Sequence, residues 1–211
     1  MISPPSEFDK GPEFKLPAPF LKGGMSLAEA IARRRSVRRY RKEALPLAHL
    51  SQILWAAQGI TDAQGLRAAP SAGATYPLEL FVFIGQNGVA GLDEGLHHYN
   101  VEGHSLYLSR KGDHRQQLAA AALGQKCITE APVNIVVCAI YERTSGHYGK
   151  RAERYVPMEA GHVGQNISLQ AVALGLASVM VGAFQDEDVR TVMALSRDCH
   201  PLYIIPVGEP R

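Results

Sequence analysis

Residues 32 to 41 read Ala32-Arg33-Arg34-Arg35-Ser36-Val37-Arg38-Arg39-Tyr40-Arg41, with six arginines within the nine positions 33 to 41. The run arrives at the end of a helical pattern. Ser26 stands as the cap, Glu29 follows three residues on as in a capping box, and Leu27, Ala30 and Ile31 make the apolar face. Three readings of the arginines compete. Cations at a helix C-terminus interact with the dipole by roughly 0.3–1 kcal/mol each, which accounts for Arg33 and Arg34 but not for the use of Arg throughout. Nucleic-acid binding fits the local charge. A phosphate clamp fits the guanidinium fork, matched to phosphate oxygens, with the Ser36 hydroxyl and backbone N–H groups completing the cage.

The pattern continues on both sides. Residues 1 to 24, with five prolines and three glycines, read as an extended arm without regular structure. Its apolar side chains Phe8, Phe14, Leu16, Phe20 and Leu21 suit it to lie on a partner subunit. A second helix starts at Pro46, carries Leu47, Leu50, Ile53, Leu54 and Ala57 at helical spacing, and stops at Gly59. A loop, 60 to 77, leads to a strand over 78–84, apolar on both faces and therefore central. Strands near 96–100 and 105–109 form a hairpin, and Asp113 caps a helix to Leu123. A strand over 133–141, a polar loop over 142–152 and a helix over 153–174 follow. The helix is apolar most of the way round after Asn166, as in a buried or interface helix. A strand over 176–183, a helix over 186–195 and a strand over 202–208 close the chain. The order of elements predicts an α+β fold with no linker that divides it.

Composition narrows the function classes. The chain has 211 residues, is 46% hydrophobic and carries a net charge of +2, so no global field points to nucleic acid or to a membrane surface. No stretch approaches the roughly 18 apolar residues of a membrane span, and no secretory h-region follows Met1. Three cysteines, Cys127, Cys138 and Cys199, without CxxC spacing argue against a disulfide framework or a structural zinc site, and fit a cytoplasmic protein. His97, His98 and His162 form no metal-ligand spacing, and no metal is expected. No GxGxxG dinucleotide fingerprint is present.

A helix ending in Arg-Arg-Ser-x-Arg, then a short helix, then the loop Pro70-Ser71-Ala72-Gly73-Ala74-Thr75-Tyr76-Pro77-Leu78-Glu79, resembles the FMN-dependent nitroreductase superfamily, and its Pro-Ser-Ala-Gly form is similar to the SagB-type branch of azoline oxidases. Glu159-Ala-Gly-His162-Val-Gly-Gln165-Asn166, the segment Ala173 to Phe184, and Pro206-Val207-Gly208-Glu209-Pro210 carry the likeness to the end of the chain. The resemblance implies a three-layer fold with a central, mostly antiparallel sheet, 25–211 as one FMN-binding domain behind the arm, and an intertwined homodimer with an FMN in each interface cleft.

The resemblance also implies site roles. Arg34, Ser36 and Arg38 take the phosphate, with Arg35 giving mainly backbone and Arg211 joining from the C-terminus; Arg33, Arg39 and Arg41 remain helix-end or surface charge. Pro70, Ser71, Ala72, Gly73 and Ala74 approach the isoalloxazine from the partner. Ala74 and Tyr76 replace the Asn and Gln of ordinary nitroreductases. Met180, Val181, Gly182 and Ala183 pass the ring near N5, where a backbone N–H at Gly182 serves catalysis. Glu159 orients substrate or moves a proton, or is a helix-start carboxylate favoured by the dipole. Gln165 and Asn166 touch the ring edge or the dimer partner, and Gly208 closes the cofactor site. Tyr76, Tyr148 and Tyr155 are candidate substrate-pocket residues. The expected reaction is ping-pong hydride transfer between NAD(P)H, or another donor, and a small-molecule acceptor, or the reverse in an oxidase. The competing reading is a non-catalytic flavin- or nucleic-acid-binding protein using residues 33 to 41.

Overall fold

β2 (Leu78–Ile84) is buried along its whole length and is the middle strand of a seven-stranded sheet. The computed structural model describes residues 7–9 and 11–211, so expectations for residues 1–6 and 10 lie outside the described residues. The strands are β1 (Glu13–Lys15), β2, β3 (Gly95–Asn100), β4 (Ser105–Lys111), β5 (Val133–Ile140), β6 (Ala177–Ser178) and β7 (Cys199–Gly208), in the order β1-β4-β3-β2-β5-β7-β6. Every paired strand runs antiparallel to its neighbour.

Alternation along the central strands builds two cores. Leu80, Val82 and Ile84 of β2, with Ile135 and Val137 of β5, face one side. There they meet α2 (Leu47–Gln58) through Leu50, Ile53 and Leu54, and α6 (Ala152–Ala173) through Val156, Val163 and Ile167. Phe81, Phe83, Val136 and Cys138 face the other side. There they meet α3 (Arg115–Ala121), α4 (Lys126–Glu130) and α7 (Asp186–Met193) through Leu118, Ile128 and Val189. The result is helix, sheet, helix, an α+β fold in three layers. α1 (Leu27–Arg33) is shorter, with Ser26 Oγ accepting from the Glu29 N–H. Glu29 does not close the box; its carboxylate pairs with Arg33 at 2.6 Å. α2 ends at Gly59, which turns to an extended conformation and where a Cβ would meet Trp55 Cδ1 at 2.2 Å.

Four expectations change. The arm is not irregular throughout: β1 pairs with β4, Leu16 is buried in the chain's own core, and Phe8 packs edge-on to Phe81 at 5.3 Å. The polar stretch after β5 is helical, as α5 (Glu142–Tyr148), ended by Gly149 at φ 55°. Its polar side chains belong to an exposed helix face, while Thr144 turns inward. α4 is an additional element after α3. The strand expected over 176–183 is reduced to β6 and one bridge, Val181 to Ile204, in the same register. The ladder lapses at the positions between, where Pro206 of β7 has no N–H to donate.

Among the described residues no helix is long and apolar enough to cross a membrane, and no group of three or more His, Cys, Asp or Glu is placed to hold a metal ion. Cys127, Cys138 and Cys199 are free thiols, all buried.

Candidate functional site

The arginine segment leaves α1 as an extended stretch laid between β6 and the C-terminus. Val37 donates its N–H to Ser178 O at 3.1 Å, Arg41 to Glu209 O at 3.0 Å, and Arg211 to Arg39 O at 3.1 Å. Tyr40 anchors it from below: the ring is buried, and its hydroxyl donates to Val37 O at 2.6 Å, with Pro206 O also near at 3.2 Å. Burial pushes the Tyr40 pKa well above its ordinary value. Gly208 is required beneath that ring, since a Cβ would lie 3.1 Å from Tyr40 Cδ1 and 2.7 Å from Pro132 Cδ.

Two of the arginines have local duties. Arg33 pairs with Glu29, and Arg35 folds back to donate to Ala32 O and Arg34 O at 3.0 and 2.7 Å, satisfying carbonyls at the helix end. Among the described residues Arg34, Arg38, Arg39 and Arg41 make no ion pair. Several guanidinium groups without a carboxylate, beside exposed Ser36 and the ordered backbone of Arg211, form a surface suited to an anion. The segment Met180 to Ala183 follows from β6 on the same edge. A Cβ at exposed Gly182 would come no closer than 3.7 Å to any neighbour, the Tyr203 ring, so its backbone is open.

The Pro-Ser loop is a second surface. Ala72–Ala74 form a 3-10 turn, and Gly73, Ala74 and Tyr76 all have positive φ, at 59°, 51° and 45°. Two non-glycine residues in the left-handed region within one loop mark local strain of the kind that collects at functional sites. The conformation is held from several sides: Ser71 Oγ accepts from the Tyr76 N–H at 3.0 Å, Thr75 and Thr144 hydroxyls lie 2.8 Å apart, and Arg143 donates to Tyr76 O at 3.1 Å. Tyr148 lies against Gly73, where a Cβ would meet its hydroxyl at 2.8 Å, and stacks edge-on to Tyr155 at 5.2 Å.

α6 connects the two surfaces. Near its middle, Glu159 is buried beside the loop, with Oε1 lacking a hydrogen-bond partner. Burial raises its pKa above the usual carboxylate range, opposed by the Ser71 hydroxyl, Gln58 and the charges on Arg67 and His162. It is not a helix-start carboxylate, because α6 begins two turns earlier at Ala152. His162 approaches Pro70 O at 3.4 Å. Further along, a Cβ at Gly164 would meet Met180 Sδ at 2.5 Å, and Ser168 accepts from Ser178 at 3.3 Å. Glu159 and Ser168 are separated by roughly 13 Å at 1.5 Å per residue. Gln165 is exposed, whereas Asn166 donates to Ala56 O at 3.0 Å and works inside its own chain.

The sequence profile of the nitroreductase family matches residues 31–209. The chain belongs to the nitroreductase family. A Methanocaldococcus jannaschii protein carrying nitroreductase as a provisional name is 45% identical over 185 residues, covering 88% of this chain and 91% of that protein. A crystal structure of a Ralstonia eutropha protein given the same provisional description superposes with a TM-score of 0.82 at 28% identity, over 94% of this chain and 90% of that one. The trifolitoxin-processing protein TfxB of Rhizobium leguminosarum is 28% identical over 61% of this chain, a match spanning 35% of TfxB.

Against this family background the structure adds residues that the sequence reading passed over. Glu79, in an otherwise apolar strand, is buried and bonded to His98 at 2.8 Å and to Arg143 at 2.5 Å. Burial alone would raise its pKa; the hydrogen bond and charge of His98, with the Arg143 guanidinium, more than offset this and hold it below the usual value. Arg67 stacks over the Tyr76 ring at 4.2 Å and donates to Gln58 Oε1 at 3.1 Å. A carboxylate inside an apolar run was a signal available for Glu79; nothing local marked Arg67 or Gln58.

Proposed function

We propose that the chain is an FMN-dependent oxidoreductase working as a homodimer. The observation that carries this reading is the convergence of the arginine segment, residues 178–183 and the C-terminus along one edge of the sheet. Arg34, Ser36 and Arg38 hold the phosphate, with the Arg35 backbone and Arg211 beside them. Met180, Val181, Gly182 and Ala183 flank the ring, Gly182 presenting its backbone N–H, with Gly208 behind and Gln165 at the rim. Pro70, Ser71, Ala72, Gly73 and Ala74 cover the ring of the second copy. FMN, when bound, supplies two-electron chemistry by taking and giving hydride at N5.

Exposed Leu21, Leu27, Ile31 and Met158, at 81, 67, 55 and 48% accessibility, support a covering partner. Glu159, with a raised pKa and an unpartnered oxygen, is the group available to hold a proton near the loop. One cleft then serves a donor such as NAD(P)H and a small-molecule acceptor in turn. The Pro70 to Gly73 and Glu159 to Asn166 motifs, with the likeness to TfxB, support a place in the SagB-type branch. The buried free thiols fit a reducing cytoplasm.

The test is spectral. Purified protein incubated with FMN and desalted should retain flavin absorbance and oxidise NAD(P)H in the presence of a quinone or nitroarene. A colourless protein that gains no flavin absorbance ends this reading.

A further inference from the structure

Beside the Pro-Ser loop lies a cavity of about 1200 Å³ walled by the 60–67 loop, Tyr76 and the β3–β4 hairpin. Four cationic side chains line it, and three are matched. Lys15 pairs with Glu13 at 2.7 Å, Arg143 with Glu79 at 2.5 Å, and His98 lies between Asp9 and Glu79 at 2.8 Å from each. Arg67 is the exception. Among the described residues it has no carboxylate within ion-pair distance, and its one hydrogen bond runs to Gln58 Oε1. A guanidinium has five N–H donors, so most of its donor capacity is unused, although the group is partly buried. Burial draws its pKa below the ordinary value, opposed by the charges on Glu79 and Glu159.

A half-desolvated cation that feels Glu79 and Glu159 only from beyond ion-pair distance, with Glu79 already bonded to His98 and Arg143, is costly unless something closer supplies a counter-charge. Arg67 is also oriented for recognition: stacking on Tyr76 fixes the plane of its fork. We propose that this cavity binds an aromatic monocarboxylate, with its carboxylate on the Arg67 guanidinium and its ring against Tyr76 and Tyr107. The charge of the walls selects within the anions. Glu7 and Glu102 add negative charge at the rim beyond the matched acids, so a dianion such as phosphate meets about twice the repulsion that a monoanion meets. The site needs no flavin, and it stands or falls separately from the proposed cofactor site.

The test is a calorimetric titration of the full chain with benzoate, and separately with inorganic phosphate. Benzoate should bind saturably and more tightly than phosphate. Arg67→Met should weaken it roughly 10- to 100-fold, the loss expected for a charged hydrogen-bonded pair, with the melting temperature unchanged or raised. Arg67→Lys, which keeps the charge and loses the fork, should weaken it by less, and it decides the matter if the Met variant does not fold. Arg38→Ala should leave benzoate affinity unchanged, separating this cavity from the arginine segment. Wild-type affinity in both Arg67 variants, loss in Arg38→Ala, no saturable binding of benzoate, or tighter binding of phosphate would each overturn the proposal.

Discussion

His98 ties the N-terminal arm to the middle of the sheet: its Nδ1 lies 2.8 Å from Oδ1 of Asp9, and both side chains are only 2% exposed. The same ring reaches Glu79 through Nε2. A neutral imidazole has one N–H, so two carboxylate contacts call for the doubly protonated ring or for a protonated acid. Asn100 adds a bond to Asp9 at 2.7 Å, and Phe8 covers the His98 ring at 5.4 Å.

Replacing His98 by Leu removes the ring that bridges two buried carboxylates, leaving Glu79 only its bond to Arg143 and taking one bond from Asp9. Removing one partner of a buried ionic group costs about 3–5 kcal/mol, and His98→Leu should lower stability by that order in urea unfolding. Protease should also cut the variant earlier within the arm than it cuts the wild type. A loss below about 1 kcal/mol, the range of exposed pairs, would mean that the cluster does not hold the arm.

His97, the neighbour on the opposite face, should set part of the acid limb of stability. Neither ring nitrogen has a hydrogen-bond partner, and burial lowers its pKa from 6.5 to about 4. The folded state therefore keeps the ring neutral while the unfolded chain takes up a proton. The contribution is fully present above pH 6.5 and is lost as pH falls toward 4, by roughly 3 kcal/mol at 1.36 kcal/mol per pKa unit. Urea melts across this window should show one proton's slope less in His97→Leu than in wild type. An unchanged slope would assign this window to another group, and not to Glu79, whose lowered pKa loses stability only as pH falls below the ordinary carboxylate value.

Glu159 works with the opposite sign. Its raised pKa means the folded chain holds the proton more tightly than the unfolded chain. Stability is full below the ordinary carboxylate value and declines as pH rises through the folded value. Glu159→Gln should therefore match wild type near pH 4.5 and exceed it at pH 8, read as melting temperature without added flavin. A variant less stable than wild type at pH 8 would show that the ionised carboxylate has a partner in solution.

How much was legible follows from the range of each interaction. β2 and β5 were readable because burial on both faces leaves an unbroken apolar run, and α2 because its apolar residues keep helical spacing. The resemblance rested on short contiguous motifs, and the family match covers residues 31–209. What escaped was tertiary. α5 looked like a loop because its polar residues are an exposed face. The β6 strand broke because of Pro206, a residue of another strand. Arg67, Gln58 and the His98 cluster come together only after the sheet forms, joining positions such as Asp9 and His98 across 89 residues.

The arginine segment gives the most direct test of the proposed cofactor site, because Arg38 and Arg39 are adjacent, both exposed and neither ion-paired among the described residues. Arg39 commits its backbone carbonyl to Arg211, and its side chain was assigned to the surface; Arg38 was assigned to the phosphate. A charged hydrogen bond is worth about 1.5–3 kcal/mol, so Arg38→Ala should weaken FMN binding roughly 10- to 100-fold. Arg39→Ala should change it little. Flavin absorbance at equilibrium measures occupancy, and size-exclusion chromatography on the same samples checks that assembly is unchanged. If both variants lose flavin equally, the segment acts as diffuse positive charge and not as a clamp, and raising the salt concentration should then release flavin from the wild type as well. If only Arg38→Ala loses flavin, the extended Ser36–Arg38 stretch beside Ser178 is where the phosphate is held.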